Sequence, residues 1–517
     1  MKKITILLFI LFVTGLQGCT NWLDIKPENE VVLEDFWQTE SQATSVLSAA
    51  YRGLTENACI ERMLIWGEVR SDNVVEGYST NADMLKILNV NINSSNSYAN
   101  WASFYSVINY CNTFLSFAPN VIKTDQNFTV TKLHSLESEA LTLRALCYFY
   151  LVRAFNEVPL VLNPSVSDTQ NYYVAKSTER QILDQIIADL IAAKQYARAD
   201  YGKGAYNKGR ITLNAIYALL ADVYLWDQQY SKCVDECNTI LADKTLALET
   251  GENMLKNVFY TGNSTESIFE LQFDKDVQVN NTVNNFYGYG GWANGQLSIP
   301  VYLAKTSDFS PFNYSGSTVK ESTTDIRQTN FFGIYVNGSG YLIYKYALVQ
   351  CLVNADLTVT PVYRPSSTTV NWIIYRLSDV MLMKAEALVQ LDRSDVDLKE
   401  ALKMVNTTYL RSNITSDSLL FNNYNNKVSL EPLVLRERQR ELLFEGKRWF
   451  DLLRLARRNS NPTVILAYIS PKLTGDNIQS NKMSVMNALY LPILKSELII
   501  NPSLTQNPFY VDSNSSN

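Results

Sequence analysis

Three glutamates near the C-terminal end of the sequence are spaced as the acid–base residues of a glycosidase could be. Glu437, Glu441 and Glu445 recur every fourth residue in a predicted helix, which places their carboxyl groups on one face. The same stretch contains four arginines within salt-bridge reach, namely Arg438, Arg440, Arg448 and Arg454. A carboxylate beside a guanidinium group stays ionised and is a poor proton donor. The pattern therefore favours an ion-pair network that fixes this helix to the body of the protein, and paired acid–base carboxyl groups are the alternative.

The rest of the sequence offers no other catalytic pattern. It contains no nucleophile elbow, phosphate-binding loop, dinucleotide fingerprint or zinc-protease helix, and His134 is the only histidine. Cys233 and Cys237 lie four residues apart on a predicted helix, too far apart for a regular disulfide, and are interpreted as packing residues rather than metal ligands. We therefore expect that the protein is not an enzyme and that it binds neither a cofactor nor a metal. A glycosidase stays open as an alternative, because two carboxyl groups that meet only in space leave no spacing to detect.

Aromatic side chains are the better candidates for a functional role. The sequence has 31 tyrosines and 8 tryptophans, and flat rings can cover the apolar faces of sugars while nearby amides bind the hydroxyl groups. Six of these residues fall in helical patterns and are predicted to be core, namely Trp101, Tyr105, Tyr148, Tyr150, Tyr217 and Tyr224. Another group lies among Gly288, Gly290 and Gly291 without periodicity and consists of Phe286, Tyr287, Tyr289 and Trp292. This loop group is predicted to contact a ligand, with local packing or a protein interface as the alternative.

The first residues have the layout of a bacterial export signal. Met1-Lys2-Lys3 precede an apolar run from Ile4 to Val13, which is too short to span a bilayer as a helix. Gly18 directly before Cys19 is similar to a lipobox, whose cysteine becomes the acylated first residue of the mature chain. We predict a signal peptide over residues 1–18 and lipidation at Cys19, and an ordinary cleaved signal is the alternative. No other apolar stretch is long enough to span a membrane, so the remainder is predicted to be a soluble body on a lipid tether.

Composition narrows the class further. The chain has 517 residues, of which 46% are hydrophobic, enough for a large core. Its formal net charge is −6, and the 45 basic residues are scattered along the chain rather than gathered in a stripe. These values argue against a disordered protein and against nucleic acid as a partner.

Hydrophobic spacing predicts a mainly α-helical fold. A helix capped by Thr39 and Gln42 is followed by helices near 101–117 and 136–155, the last of which ends before Pro159. Two helix-turn-helix pairs, at 215–241 and 375–409, place small residues against aromatic ones and resemble tetratricopeptide repeats. Such pairs must stack on neighbours to bury their apolar faces.

Residues 251–371 break the helical pattern. Only short strands are predicted there, at 268–273 and 341–346, between stretches rich in Asn, Gly and Ser. We therefore predict an N-terminal region over 19–250, an irregular, loop-rich ligand region over 251–371 and a C-terminal helical region over 372–517, which together form one compact body from 19 to 510.

Together, several segments resemble the SusD/RagB family over nearly the whole mature chain. These are Cys19-Thr20-Asn21-Trp22-Leu23-Asp24, Gly209-Arg210-Ile211-Thr212, Tyr375-Arg376-Leu377-Ser378-Asp379, the block from Arg436 to Arg454, Leu491-Pro492-Ile493 and Gln506-Asn507-Pro508-Phe509-Tyr510. Leu494 and Phe509 depart from the usual proline and glycine of the two final motifs, which affects the expected turn geometry there.

The resemblance implies a lipid-anchored, surface-exposed outer membrane protein that binds an oligosaccharide and acts as a lid on a SusC-like, TonB-dependent transporter barrel. Two regions of the family often contribute ligand contacts, which here implicates Trp66, Arg70, Asp72, Asn73 and Tyr78 in the first region. The second region corresponds to Tyr287, Tyr289 and Trp292. A peptide-binding, RagB-like uptake lipoprotein is the main alternative, followed by a glycoside hydrolase and a purely structural cap.

Overall fold

The computed structural model of the chain describes residues 36–167, 170–288, 294–304, 310–312, 325–336, 340–354, 359–364, 369–473 and 477–511. The predicted signal peptide, Cys19, Tyr289 and Trp292 lie outside the described residues.

The described chain is mostly helical, which confirms the predicted fold class. The longer helices are Glu40–Thr55, Ala102–Val121, Val130–Phe155, Glu179–Lys194, Leu213–Trp226, Tyr230–Leu241, Leu377–Leu391, Asp395–Ser412, Lys427–Leu442 and Arg448–Arg458. The shorter helices are Asn57–Leu64, Ala82–Leu88, Gly204–Gly209, Gly251–Met254, Asn281–Tyr287, Val301–Ala304, Arg327–Phe331, Leu466–Ile469, Asn477–Met483 and Lys495–Ile500. Two π-helical turns, Ile65–Val69 and Leu255–Thr261, extend the helices before them.

Neighbouring long helices pack against one another in a continuous stack. Helix Val130–Phe155 lies between Ala102–Val121 and Glu179–Lys194, and Tyr230–Leu241 packs against both Leu213–Trp226 and Leu377–Leu391. Both predicted tetratricopeptide-like pairs are therefore confirmed, the second as Leu377–Leu391 with Asp395–Ser412.

Local sequence signals account for where these helices begin. The hydroxyl of Thr39 accepts a hydrogen bond from the Gln42 backbone N–H (3.3 Å), and the Gln42 side chain accepts one from the Thr39 N–H (2.9 Å). This is the predicted capping box, and Thr178 and Gln181 form a second one. Each box satisfies N–H groups that a helix start would otherwise leave without partners.

One predicted boundary is wrong, at Tyr375. This residue lies in the strand Trp372–Arg376, which pairs antiparallel with Ser267–Leu271, and the helix begins only at Leu377. Trp372–Arg376 is buried along its whole length, so it lacks the alternation of polar and apolar residues that identifies a strand in a sequence. Ser267–Leu271 corresponds to the strand predicted at 268–273.

The remaining strands form four short antiparallel pairs. These are Val75–Glu76 with Leu297–Ser298, Val158–Pro159 with Lys176–Ser177, Phe332–Val336 with Gly340–Ile343, and Leu348–Val353 with Val359–Tyr363. The strand predicted at 341–346 is thus present, with its ends shifted.

The expectation that residues 251–371 lack helices is wrong in part. Asn281–Tyr287 is a helix whose N-terminus is capped by the side chain of Asn280. Seven residues are fewer than two full turns, too few to show helical periodicity in a sequence. Phe286 and Tyr287 therefore belong to a buried helix and not to a loop.

The buried hydrophobic side chains form one continuous core. It extends from Leu47 in the first long helix through Phe269 in the central strand pair to Leu452 near the C-terminal end. Within the described parts of the chain, no helix combines the length and the apolar character needed to cross a membrane.

Candidate functional site

The three glutamates that first suggested catalysis lie in a buried ion-pair cluster. Glu437 and Glu441 both contact Arg327, at 2.8 and 3.0 Å, and Glu445 contacts Arg376 at 2.7 Å. Further partners of these carboxylates are Arg440, Arg376 and Arg411, and Lys345. The predicted ion-pair network is therefore confirmed, and it joins five separate segments of the chain. Of the arginines named from the sequence, Arg440 pairs with Glu437, whereas Arg438, Arg448 and Arg454 pair with Asp379, Asp72 and Glu386.

The charges in this cluster determine the protonation of the carboxyl groups. Burial alone would raise the pKa of Glu441, but Arg411, Arg376 and Arg327 outweigh it and hold the pKa well below its usual range. Arg376 and Lys345 likewise lower the pKa of Glu445 against the effect of burial. Carboxyl groups held ionised in this way cannot serve as proton donors near neutral pH.

The two regions predicted to bind ligand meet at one short pair of strands, Val75–Glu76 and Leu297–Ser298, called here the joining strands. Val75 pairs with Ser298 and Glu76 with Leu297. The pairing continues beyond the strands, because the N–H of Gly77 donates to Gln296 O at 3.0 Å. A Cβ on Gly77 would lie 2.6 Å from Gly295 O, so only glycine lets the two backbones approach this closely.

Side-chain hydrogen bonds extend the contact between the two regions. The hydroxyl of Ser79 donates to Asn294 O at 2.8 Å, and that of Thr80 donates to Gln296 O at 2.6 Å. The Asn81 amide donates to Gln296 Oε1 at 2.9 Å and also caps helix Ala82–Leu88. The surface beside the joining strands is therefore held from both sides and carries amide and hydroxyl groups.

Tyr78 projects from this surface with 78% of its area exposed. A tyrosine held on a tight loop between two fixed partners offers a flat ring face to solvent at little cost in conformational entropy. Tyr289 and Trp292 belong to the segment between Gly288 and Asn294, outside the described residues. We call Tyr78, the joining strands and the backbone at 294–296 the candidate site.

The other predicted contacts of the first region are buried. Trp66 donates from Nε1 to Tyr98 O at 2.9 Å and stacks on Phe104. The Arg70 guanidinium donates to Leu489 O at 2.6 Å and to Ala488 O, and it lies over the ring of Trp449. These side chains are bonded to the interior of the protein. Their contact with a ligand stays a prediction, because this conformation does not expose them.

Asp72 and Asn73 are likewise buried and bonded internally. Asp72 accepts two hydrogen bonds of 2.8 Å from Arg448. The Gln439 amide donates to Asp72 at 2.9 Å and to Asn73 at 2.8 Å. Tyr287 is 3% exposed and donates its hydroxyl proton to a backbone carbonyl. Tyr78 alone, among the described residues of the predicted set, is open to a ligand in this conformation.

Glu68 is a supporting residue that the sequence pattern did not single out. Its buried carboxyl group accepts hydrogen bonds from the Asn73 amide (2.7 Å) and from the N–H groups of Phe444 and Gly446 (3.1 Å each). Burial raises the pKa of Glu68 to about 7. The sequence signal that could have identified Glu68 is the pair Gly67 and Gly446. Each of these glycines stands next to an acidic residue, and glycine lets two backbones approach closely.

Neither a metal ion nor a catalytic histidine is indicated in the described residues. They contain no group of three or more His, Cys, Asp or Glu side chains that could hold a metal. Cys233 and Cys237 are buried and form no disulfide with each other, in keeping with their interpretation as packing residues. His134 packs against Tyr196, with ring centroids 4.5 Å apart.

Comparison with known proteins gives concordant results for sequence and fold. A family model described as the SusD family matches residues 251–510, and a second, described as starch-binding associating with outer membrane, matches residues 21–225. SusD-like protein P38 of Formosa agariphila is 25% identical over 98% of this chain and 99% of its own length. SusD-like protein P2 of the same organism is 24% identical over 88% and 91%.

Solved structures share the fold at low identity. A SusD superfamily protein from Bacteroides vulgatus has a TM-score of 0.71 and 20% identity, over 92% of this chain and all of its own. NanU from B. fragilis has a TM-score of 0.65 and 21% identity, over 94% and 100%. Because the SusD family model covers half of the sequence and the fold extends over more than nine tenths of it, this chain belongs to the SusD/RagB family.

Proposed function

We propose that this chain is a cell-surface protein that captures a glycan and delivers it to a TonB-dependent transporter of the outer membrane. The observation that carries the proposal is the candidate site, where Tyr78 is 78% exposed beside two paired loop regions. An exposed ring with adjacent amide and hydroxyl groups has the composition needed to bind sugars without reacting with them.

Family membership supports the same ligand class. One of the two matching family models is described as starch-binding and as associating with the outer membrane. We propose that Cys19 is acylated and holds the protein at that membrane, and that the stacked helices contact a SusC-like barrel. We also propose that Tyr289 and Trp292, which follow Gly288 in the sequence, contact the glycan.

We further propose that the protein is not an enzyme. Glu441 and Glu445, in the carboxylate-rich helix, have lowered pKa values and neutralising cations on several sides. Both carboxylates are also fully buried, so a glycosidic bond could not approach them. Glycoside hydrolysis would require a different pair of carboxyl groups.

Calorimetric titration of the mature chain with a panel of polysaccharides and peptides tests the proposal. We expect binding of at least one glycan, with affinity about tenfold weaker in Tyr78→Ala and in Tyr289→Ala/Trp292→Ala. Tyr206→Ala is the matched control, because Tyr206 is 51% exposed and lies on the separate helix Gly204–Gly209.

Each other outcome contradicts part of the proposal. Binding of peptides alone would favour a RagB-like peptide carrier. If the protein bound the transporter stably but bound neither glycans nor peptides, a structural cap would be favoured. Shortened glycan chains after incubation with the protein would identify a hydrolase.

A further inference from the structure

A groove of about 590 Å³ lies apart from the candidate site, and we call it the C-terminal groove. One wall is formed by residues within 159–165 and 170–174, which lie between strands Val158–Pro159 and Lys176–Ser177, and the other is the C-terminal turn at 497–504. Trp101 and Tyr105, at the start of helix Ala102–Val121, form its aromatic lining together with Tyr172. The volume falls in the range of small-molecule sites in proteins, about 300–1,000 Å³.

The walls of the groove are tied to each other and to the body. The amide of Asn501 donates to Val174 O at 2.9 Å, which connects the C-terminal turn to the loop. The Tyr105 hydroxyl donates to Pro159 O at 2.7 Å, which fixes the ring at the base of that loop. These hydrogen bonds hold the walls of the groove in place, which reduces the entropy that binding would lose.

Polar side chains in the groove are four amides, the hydroxyl groups of Ser165, Tyr105 and Tyr172, and a single carboxylate. The amide side chains belong to Asn163, Gln170, Asn171 and Asn501, and the carboxylate belongs to Glu497. Lys, Arg and His are missing from the residues that line the groove. The half-buried Glu497 forms no ion pair within the part of the chain that the structure describes.

Glu497 also lies close to the aromatic lining. Burial, followed by the neighbouring Tyr148 and Glu497, raises the pKa of Tyr105 well above its usual range. An unneutralised carboxylate next to ring faces can accept strong hydrogen bonds from ligand hydroxyl groups, while its charge disfavours an anionic ligand.

We propose that the C-terminal groove is a second carbohydrate-binding site, selective for neutral oligosaccharides over sulfated or uronic acid chains. Tyr172, which is 50% exposed, would cover the apolar face of a sugar ring, and Glu497 with Asn163 and Asn171 would bind hydroxyl groups. The inference rests on the proposed function, since it assumes that glycans are the ligand class, but it assigns a site outside the two family regions considered above.

A peptide fits this groove less well than a sugar. Extended peptides commonly bind by adding a strand to an exposed sheet edge. The strands at the groove have only two residues each, and Pro159 has no N–H group to donate. The amide side chains and Glu497 therefore remain the main polar partners, and they match hydroxyl groups.

The groove and the candidate site are connected through a short segment. The Asn81 amide of the candidate site donates to the Tyr98 hydroxyl at 2.6 Å, and Trp101 of the groove follows three residues later. Three residues span at most about 11 Å of chain.

The test is calorimetric titration of the mature chain with hexasaccharides of α-1,4-glucose, β-1,3-glucose and β-1,4-xylose, and with a galacturonic acid hexamer. In the wild type we expect two molecules of a neutral hexasaccharide to bind. Tyr172→Ala and Glu497→Gln should each remove one of them or weaken it about tenfold, and Tyr78→Ala should remove the other. Tyr173→Ala is the matched control, because Tyr173 is 56% exposed against 50% for Tyr172 and does not line the groove.

Several outcomes would overturn the inference. If Tyr172→Ala and Glu497→Gln bind like the wild type while Tyr78→Ala loses binding, the groove is not a sugar site and the proposed function stands. If no oligosaccharide binds, both fail. Preference for the galacturonic acid hexamer, or loss of transporter association with unchanged sugar binding, would also overturn the assignment of the groove.

Discussion

The hydroxyl group of Tyr287 donates a hydrogen bond of 2.7 Å to the carbonyl oxygen of Phe444. Tyr287 is the last residue of the helix that precedes the second loop region. The N–H of Phe444 in turn donates to Glu68, which lies in the first loop region, at 3.1 Å. A single turn at 444–446 therefore holds both halves of the candidate site from behind.

Tyr287→Phe should lower the free energy of unfolding by about 1 kcal/mol, because it removes one buried hydrogen bond and leaves the ring in place. The buried Phe444 carbonyl would lose this partner, while the stacking of the ring on Tyr346 would persist. Urea unfolding measures the change, with the exposed Tyr206→Phe as control. Equal stability of the two variants would show that the bond contributes nothing to the fold.

Glu68→Gln should change how stability depends on pH. Burial raises the pKa of Glu68 from 4.5 to about 7 in the folded protein, so between these values the native state holds a proton that the unfolded chain has lost. The contribution of Glu68 to the free energy of unfolding therefore falls as pH rises through this window, by about 3 kcal/mol in all, and is constant above it. Glutamine cannot ionise, so the variant lacks this fall.

The measurement is the difference in unfolding free energy between wild type and Glu68→Gln at several pH values from 5 to 8. The variant should gain stability relative to the wild type as pH rises. A difference that stays constant over this range would mean that Glu68 is ionised throughout.

Arg376→Met should destabilise the protein by about 3–5 kcal/mol, because it leaves buried carboxylates without their main cation. Arg376 contacts Glu266, Glu441 and Glu445, all of them buried. The control is Arg52→Met, which removes an exposed pair with Glu56 at 3.9 Å and should cost less than about 1 kcal/mol. Similar losses for both variants, measured by denaturant unfolding, would contradict a structural role for the cluster.

How much the sequence could predict depended on how local the signal was. Thr39 and Gln42 of the capping box lie three residues apart, as do Glu437 and Arg440, and both of these local pairs were confirmed. The partners of Glu441 are Arg327, Arg376 and Arg411, which come from two distant helices and a strand that no spacing reveals. Local pattern identifies a charged helix but not the residues that neutralise it.

The candidate site illustrates the same limit. Family resemblance pointed to two loop regions, and the joining strands bring those regions together. Burial of Trp66 and Tyr287 was not foreseen, because aromatic residues beside glycines occur both in ligand loops and in short buried helices. Tertiary packing alone determines whether a ring is exposed, as in Tyr78, or buried in a supporting position.

Gly67→Ala tests whether the turn at 444–446 and the first loop region are in contact. A Cβ at Gly67 would lie 1.8 Å from Gly446 O, a distance at which the backbone must move. Movement there would also break the hydrogen bond from the Gly446 N–H to Glu68. We expect a loss of about 3 kcal/mol or more in unfolding free energy, as for overpacked cores, together with weaker glycan binding.

Gly204→Ala is the control, since no atom lies within 4 Å of a Cβ at this helical position and alanine favours helix formation. It should leave stability unchanged or raise it by up to about 1 kcal/mol. If Gly67→Ala is as stable as Gly204→Ala, the backbones of Gly67 and Gly446 are not in contact. Glu68 could then not bridge them, and the two loop regions would be held by the joining strands alone.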